Sequence, residues 1–300
     1  MKYNQNNTEV FWDSVADEYN RLYIQEEDNY SPLYYRLEII KQLLPNLPKG
    51  KAFDAGCGGG VLLEYLLKNG YNCAGCDLSS KMVQNTKDKI KKVTDEEVMI
   101  LNTSLDKLHD IKNSQFDIVF SLGVFTYISD ELEEKSYLEI KRILKPNGIF
   151  ISGHQNELFN LYSMNKYTIN FYDNFFELFK DKVDRNELSM LKKDFEKLLR
   201  DHNKPNVNTP SNKNENKSTR DYIFRREENP LTYNKKLTKY GFESMDNYYY
   251  NFHAMPPSIR NTNKLVADIS KSMEVIHSKS WQAMFMCSAF INISRNHKTE

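Results

Sequence analysis

The chain has 300 residues, of which 40% are hydrophobic and 27% are charged, as in an ordinary globular protein. Its 41 basic residues balance its 41 acidic residues, which disfavours a nucleic-acid binder, because such proteins usually need a basic surplus to neutralise phosphates. The sequence has no run of 18 apolar residues, no apolar secretion signal and only four scattered cysteines. We therefore expect a cytoplasmic protein, a monomer or homodimer, with no membrane segment and a small-molecule partner.

The region before residue 50 is predicted to form two helices. The segment WDSVADEYNRLY has helical spacing. The segment SPLYYRLEIIKQLLPNL starts with Ser31 and Pro32, which suit a helix cap and a first turn. The pattern changes directly after this second helix.

From Lys51 onward, short apolar runs alternate with helical segments. The apolar runs predict five strands, namely KAFDAGC, YNCAGCDLS, EVMILNTS, FDIVFSLGVF and IFISGH. The helical segments between them are VLLEYLLKNGY, SKMVQNTKDKIKKV and ELEEKSYLEIKRILKPNG. This alternation predicts a parallel sheet covered by helices on both faces, with the ligand site at the edge where the strands end.

After His154 the alternation stops. Residues 156–200 are predicted to be helical and aromatic, whereas residues 202–220 are polar and contain two prolines, which indicates a mobile loop. The pattern returns in PLTYNKKLTKYGFESMDNYYYNFHAMPP, and SWQAMFMCSAFINISR is predicted to be a final strand. We expect residues 1–300 to form one domain, with a helical cap insertion at 155–228 that contains the mobile loop near 202–220.

A glycine-rich loop follows the first predicted strand, from Gly56 to Gly60. Glycines at such a turn let the backbone approach a ligand and leave the amides of the next helix free, although a tight turn alone would also need them. The dinucleotide spacing G-x-G-x-x-G fails here, because its last position is Val61. Asp77 ends the second strand, 19 residues beyond Gly58, and is placed to accept hydrogen bonds from ribose hydroxyls.

Taken together, these segments resemble a class I methyltransferase of the small-molecule type, which uses S-adenosylmethionine (SAM). FDAGCGGG resembles the first motif of that family, CDLSSKMV the second, FDIVFSLGVFTYISD the fourth-strand motif, LKPNGIFI the turn into strand five and LTKYGFE the element before strand six. The resemblance covers residues 10–155 and 228–295. It implies SAM as cofactor and an α/β fold with a seven-stranded, doubly wound Rossmann-like sheet, an N-terminal helical lid at 10–45 and a helical insertion after strand five.

The resemblance also implies which residues meet the methionine part of SAM. Asp54 would support the glycine loop and meet the methionine amino group, directly or through water. Gly56 and Gly58 would make room beside the cofactor. Ser121 and Leu122 would offer main-chain contacts after strand four.

For the adenine ring, the resemblance assigns Leu78 and Met82 to its two sides. Many family members carry an acid after strand three that meets the adenine amino group, but here the sequence is NTSLD. Ser104 and Leu105 are therefore our candidates for this contact, and the sequence leaves Thr103 open as well.

The methyl acceptor would lie beyond the cofactor. Tyr19 resembles the lid aromatic of small-molecule family members, and an aromatic face suits a sulfonium cation. His154, at the end of strand five, is the candidate general base, and Tyr127 would orient an acceptor or close the pocket. The alternative for His154 is a structural histidine that satisfies a loop carbonyl. His253, after strand six, is a further candidate on the same edge.

A metal site is not expected. Cys73 and Cys76 have the spacing of a metal or redox pair, but they lie within a predicted strand. Residues three apart in a strand point to opposite faces, so these two thiols cannot share one ion.

The function that these expectations support is transfer of a methyl group from SAM to an oxygen or nitrogen of a small polar acceptor. Segments such as NELFNLY and FHAMPP suggest a sugar or nucleotide sugar of a bacterial surface-polysaccharide pathway. The alternatives are an RNA or protein methyltransferase, a nicotinamide dehydrogenase, which Val61 disfavours, and a SAM-binding protein without activity.

Overall fold

A single seven-stranded sheet organises the protein. The computed structural model describes residues 3–23, 31–165, 167–169, 171–172, 183–202, 223–261, 263–274 and 276–297. Its strands are β1 (Lys51–Ala55), β2 (Asn72–Asp77), β3 (Ile100–Asn102), β4 (Phe116–Leu122), β5 (Leu144–Gln155), β6 (Phe242–Phe252) and β7 (Cys287–Asn296).

The strand order is β3–β2–β1–β4–β5–β7–β6. The first five strands pair in parallel, as predicted, whereas β7 runs antiparallel between β5 and β6 and makes the sheet a mixed one. The order reverses between β1 and β4, so the chain leaves these neighbouring strands in opposite directions. Sheets of this kind bind their ligands in the crevice that opens at this reversal, beyond the carboxyl ends of the strands.

Helices occupy the connections. They are α1 (Gln5–Tyr19), α2 (Pro32–Leu43), α3 (Val61–Lys68), α4 (Ser80–Ile90), α5 (Asp130–Ile143), α6 (Phe159–Ser163), α7 (Arg185–His202), α8 (Tyr233–Lys239), α9 (Pro257–Arg260), α10 (Lys264–Met273) and α11 (Trp281–Met286). None of the helices in the described ranges is long and apolar enough to cross a bilayer.

Two hydrophobic layers cover the sheet, one on each face. Buried residues of α2, α3 and α4 pack against one face, where Ile118 and Phe120 of β4 point. Buried residues of α5 and α8 pack against the other face, together with Val119 of the same strand. Successive strand residues thus alternate between two covered faces, which explains why β4 is apolar throughout and confirms the doubly wound fold.

The two cysteines with metal-like spacing obey the same alternation. Cys73 belongs to the layer of α2, α3 and α4, and Cys76 belongs to the opposite layer. Both thiols are buried and free. No group of three or more metal-ligating side chains occurs within the described part of the chain.

Several segment boundaries differ from the sequence prediction, and at two of them the type of secondary structure differs as well. The predicted last strand begins only at Cys287, because Trp281–Met286 forms α11, whose first turn is capped by the Ser280 side chain accepting from the Ala283 N–H. Helix α5 ends at Ile143, and LKPNG already belongs to β5. Pro146 disfavours helical geometry in the residue before it, which explains the earlier end of α5.

Helix α1 lies over the start of α4. The Asp13 carboxylate contacts the Ser79 hydroxyl and the Lys81 N–H, and the Lys81 ammonium lies 2.6 Å from Asp17. These contacts hold the N-terminal segment against the ligand edge of the sheet, where a lid was predicted. Of the predicted cap insertion, α6 and α7 are described, whereas residues 203–220 of the predicted mobile loop lie outside the described residues.

A buried carboxylate closes the end of β6. Glu274 is 1% exposed and accepts hydrogen bonds from the Asn251 and Phe252 N–H groups at 2.9 and 2.6 Å. Burial raises its pKa from 4.5 to about 8, although these two backbone donors oppose the rise. The folded state therefore holds this proton more tightly than the unfolded state does, and stability is lost as the pH rises from about 4.5 to 8.

We expect Glu274→Gln to flatten this pH dependence. Between pH 6 and pH 9 the free energy of unfolding of the wild type should fall by about 3 kcal/mol more than that of the variant, because the variant lacks the carboxyl group that must ionise at this buried position. Urea denaturation at both pH values measures the difference. Asp268→Asn, an exposed change on the neighbouring α10, is the matched control. Equal falls in the wild type and in Glu274→Gln would contradict the expectation.

Candidate active site

A cavity of about 490 Å³ opens at the carboxyl ends of β1, β2, β4 and β5. The N-terminal helices form its opposite wall. Of the residues predicted from sequence, eleven line this cavity: Tyr19, Gly56, Gly58, Asp77, Leu78, Met82, Ser104, Leu105, Leu122, Tyr127 and His154. Asp54 and Ser121 lie behind its surface.

The glycine loop forms the floor of the cavity. Gly56, Gly58 and Gly60 have φ values of 88°, 51° and 74°, in the left-handed region that favours glycine. A Cβ atom at Gly58 would lie 2.9 Å from Cε1 of Tyr19, so only glycine lets the lid ring approach the loop this closely. Helix α3 begins directly after Gly60, with its first N–H groups at the loop.

Asp77 fastens this loop to the end of β2. One carboxylate oxygen accepts from the Gly58 N–H at 2.8 Å, and the other accepts from the Ser79 N–H at 2.9 Å. Burial raises the pKa of Asp77 to about 6 against the effect of these donors. Each oxygen keeps a further lone pair, so the carboxylate can also accept from a diol that enters the cavity.

Asp54 lies beneath the loop at 4% exposure. Burial raises its pKa to about 7, the Arg36 charge opposes this rise, and the Asp77 charge adds to it. The carboxylates of Asp54 and Asp77 thus both lie close to the glycine loop, Asp54 beneath it and Asp77 beside it. A cationic ligand would stabilise their ionised forms.

Apolar side chains shape the pocket next to Asp77. Leu78 is half-buried, and Met82 is 1% exposed in the first turn of α4. Ser104 and Leu105 contribute to the cavity wall, whereas the Thr103 hydroxyl donates to the Lys107 carbonyl at 3.2 Å and Thr103 is outside the wall. These four residues form a mainly apolar slot in the cavity wall, and a flat heterocycle suits a wall of this polarity.

An aromatic group covers the glycine loop. The ring of Trp12 meets those of Tyr19 and Tyr127 edge-on, at centroid distances of 5.7 and 5.1 Å. Tyr127 lies in a short 3-10 turn (Phe125–Tyr127) directly after β4, and the other two rings come from α1. Electron-rich rings on this side of the cavity would stabilise a cation held above the loop. The sequence predicted two of these rings and missed Trp12.

Arg36 is a residue of the cavity wall that the sequence analysis did not single out. It is 5% exposed, and its guanidinium donates to the Leu122 carbonyl at 2.8 Å and to the Tyr23 hydroxyl at 2.6 Å. Among the described residues, its Nε finds no hydrogen-bond partner. The available signal was its position on the apolar stripe of α2, four residues before Ile40, where the pattern predicts an apolar side chain.

His154 lies at the far wall and is 3% exposed. Its Nε2 lies 2.8 Å from the Ser152 hydroxyl, and its ring packs between those of Phe125 and Phe290 at 5.8 and 5.2 Å. Burial, assisted by the Lys236 and Arg226 charges, lowers the pKa of His154 well below its usual range. The ring is therefore neutral near pH 7 and can accept a proton at one nitrogen.

His253, the further candidate from the sequence, does not contribute to the cavity wall. It is 5% exposed and packs against Phe159 at 4.7 Å. Burial and the Arg260 charge lower its pKa to about 3. The structure therefore separates it from Tyr127 and His154.

Comparison with known proteins agrees with this fold. Residues 53–152 match the family model described as a methyltransferase domain. An uncharacterized protein of Haemophilus influenzae is 30% identical over 155 residues, which are 46% of this chain and 60% of that protein. The ubiquinone biosynthesis O-methyltransferase of Histophilus somni is 26% identical over 132 residues, 43% of this chain and 55% of that enzyme. The chain thus spans little more than half the length of these curated relatives.

Solved structures extend the likeness to the whole fold. The magnesium protoporphyrin IX methyltransferase of Synechocystis, solved with bound S-adenosylhomocysteine (SAH), superposes with a TM-score of 0.54 over 97% of this chain and 99% of its own, at 13% identity. At this identity the likeness establishes the shared fold. The chain therefore has the class I, Rossmann-like methyltransferase fold, and its residues 53–152 match the family described as a methyltransferase domain.

Proposed function

We propose that the protein transfers a methyl group from SAM to an oxygen or nitrogen atom of a small acceptor bound in the described cavity. The observation that carries this proposal is the continuity of one cavity from the Asp77 carboxylate to the His154 ring. One half has the features of a nucleoside site, and the other half ends in a neutral histidine. Two ligands can therefore meet inside it with their reacting atoms adjacent.

The residues present fit SAM along its length. The slot of Leu78, Met82, Ser104 and Leu105 suits the adenine, and the Asp77 carboxylate suits the ribose diol. The glycine loop then leads the methionine part toward Arg36, whose Nε lies buried in the same wall and suits a carboxylate. SAM supplies an activated methyl group on a sulfonium. The Trp12, Tyr19 and Tyr127 rings are placed to stabilise its positive charge.

The protein itself contributes to the reaction chiefly by positioning the two reactants and excluding water. The acceptor lone pair must lie about 3 Å from the methyl carbon and in line with the bond that breaks, and such orientation is worth roughly 7 to 11 kcal/mol. The rings of α1 close the cavity from the solvent side. His154, at the opposite wall, can take the proton of an acceptor hydroxyl.

For the acceptor, we propose a ring that carries hydroxyl groups. The wall around His154 combines apolar and aromatic groups with the polar Gln155, which suits the apolar faces of a ring and the hydroxyls at its rim. A sugar or nucleotide sugar has both features, so a bacterial surface-polysaccharide precursor remains our preferred acceptor class. Several of the curated relatives are ubiquinone biosynthesis O-methyltransferases, which also favours a hydroxyl acceptor.

We expect Asp77→Asn to weaken SAH binding by about 10- to 100-fold. The amide keeps one acceptor oxygen, but its NH₂ group faces a backbone N–H and cannot accept from a ribose hydroxyl, and each lost hydrogen bond to a charged group costs about 1.5 to 3 kcal/mol. Isothermal titration calorimetry measures the affinity. Asp110→Asn, a surface change whose side chain is 78% exposed, is the control. Unchanged SAH affinity in Asp77→Asn would place the nucleoside elsewhere.

We expect His154→Gln to lower the rate of methyl transfer to a hydroxyl acceptor by about 10² to 10⁴ while SAH affinity stays within about twofold, because only the proton acceptor is removed. The protein is incubated with methyl-labelled SAM and a panel of nucleotide sugars. Mass spectrometry then identifies the acceptor and measures the rate of methyl transfer. His109→Gln, whose side chain is 77% exposed, is the control. An acceptor-dependent rate equal to that of the wild type would remove His154 from the mechanism.

A further inference from the structure

A row of buried hydroxyl groups leads away from His154 into the protein. The His154 Nε2 lies 2.8 Å from the Ser152 hydroxyl, and that hydroxyl lies 3.0 Å from the hydroxyl of Tyr233. The Tyr233 hydroxyl lies 2.9 Å from that of Tyr137, which donates to a Glu133 carboxylate oxygen at 3.1 Å. Ser152, Tyr137 and Tyr233 are fully buried, and Glu133 is 4% exposed. The row connects β5, α8 and α5 over four hydrogen bonds.

Two cations surround the carboxylate at the end of this row. The guanidinium of Arg226 forms an ion pair with Glu133, and the Lys236 ammonium lies 3.4 Å from both carboxylate oxygens. Arg226 is itself held by the Phe125 carbonyl at 2.8 Å, and Lys236 also pairs with Glu228 at 2.5 Å. A buried carboxylate with these partners accepts hydrogen bonds and donates none.

The direction of every hydrogen bond in the row follows from this carboxylate. Tyr137 must give its single proton to Glu133, so its oxygen accepts from Tyr233. Tyr233 has then used its own proton, so it accepts from Ser152. Ser152 has likewise used its proton, and its oxygen must accept from His154. The nitrogen that faces Ser152, Nε2, therefore carries the hydrogen, and Nδ1 carries the lone pair.

We propose that Glu133, acting through Tyr137, Tyr233 and Ser152, fixes His154 in the Nε2–H tautomer and thereby leaves Nδ1 as the proton acceptor for the methyl acceptor. The four residues are positioning residues, because they act on the reaction only through the histidine. The role of Nδ1 as proton acceptor rests on the proposed function, whereas the tautomer itself follows from the hydrogen-bond geometry alone.

The proton balance of the step is complete with these groups. As the acceptor oxygen forms its bond to the methyl carbon, the carbon–sulfur bond breaks and its electron pair stays on sulfur. The hydroxyl proton passes to Nδ1 of His154, which becomes an imidazolium with both nitrogens protonated. The low pKa of this buried ring, next to Lys236 and Arg226, favours release of the proton to solvent after each turnover.

The test reads the tautomer directly. Protein with ¹⁵N-labelled histidine, free of cofactor and acceptor, is examined by NMR, in which protonated and unprotonated ring nitrogens have distinct shifts, and His154→Gln assigns the signals. We expect Nε2 to be protonated and Nδ1 unprotonated in the wild type. Tyr233→Phe interrupts the row and should lower the Nε2–H population. Tyr71→Phe removes a buried hydroxyl in the layer on the opposite face of the sheet and should change nothing.

Two results would overturn the inference: an Nδ1–H ring in the wild type, or identical ring shifts in the wild type and in folded Tyr233→Phe. Should Tyr233→Phe fail to fold, Tyr137→Phe interrupts the same row one step further from the histidine and is read in the same way. Because the spectrum needs neither SAM nor an acceptor, an unexpected tautomer contradicts this inference alone. Absence of SAH binding contradicts the proposed function alone.

Discussion

The hydrogen bond from the Gly58 N–H to the Asp77 carboxylate is the contact on which the candidate site depends. It joins the turn after β1 to the end of β2 and sets the distance between the floor of the cavity and its nucleoside slot. The turn can adopt this position because Gly56, Gly58 and Gly60 take left-handed conformations that other residues would adopt only with strain. This position buries the Asp77 carboxylate, and the loss of solvation raises its pKa. A ribose diol would supply the missing hydrogen-bond donors.

The N-terminal segment completes the site from the other side. Arg36 of α2 holds the Leu122 carbonyl at the end of β4, and Tyr23 binds the same guanidinium. The Tyr19 ring then lies against Gly58 of the glycine loop, and the Trp12 ring packs edge-on against Tyr19. One arginine thus connects the predicted N-terminal lid to the end of β4, at the wall of the cavity.

The sequence was sufficient for the features that have a local cause. The glycine turn, the strand ends at Asp77 and His154 and the opposite faces of Cys73 and Cys76 all follow from conformations and periodicities within a few residues. The parallel sheet was predicted from the alternation of strands and helices, and the family resemblance from the quoted motifs, whereas the order of the strands was not predicted. The last strand was predicted too long, because WQAMFM is apolar enough for either a strand or a helix, and the Ser280 cap decided for the helix.

Features with distant partners could not be predicted in this way. Arg36 finds its acceptor 86 residues away, at Leu122. Tyr233 finds its hydroxyl partners 81 and 96 residues away, at Ser152 and Tyr137. From the sequence alone, each of these side chains could equally lie on a solvated helix face or in an apolar core. Only the folded chain shows that Arg36 lies in the cavity wall and that Tyr233 lies behind His154, connected to it through Ser152.

A crystal structure of the protein with bound SAH tests the central claim most directly. The account predicts that SAH occupies the described cavity with its ribose hydroxyls about 3 Å from the Asp77 carboxylate oxygens, and with its sulfur facing Tyr127 and His154. SAH bound outside this cavity, or bound inside it with the ribose turned away from Asp77, would contradict the account.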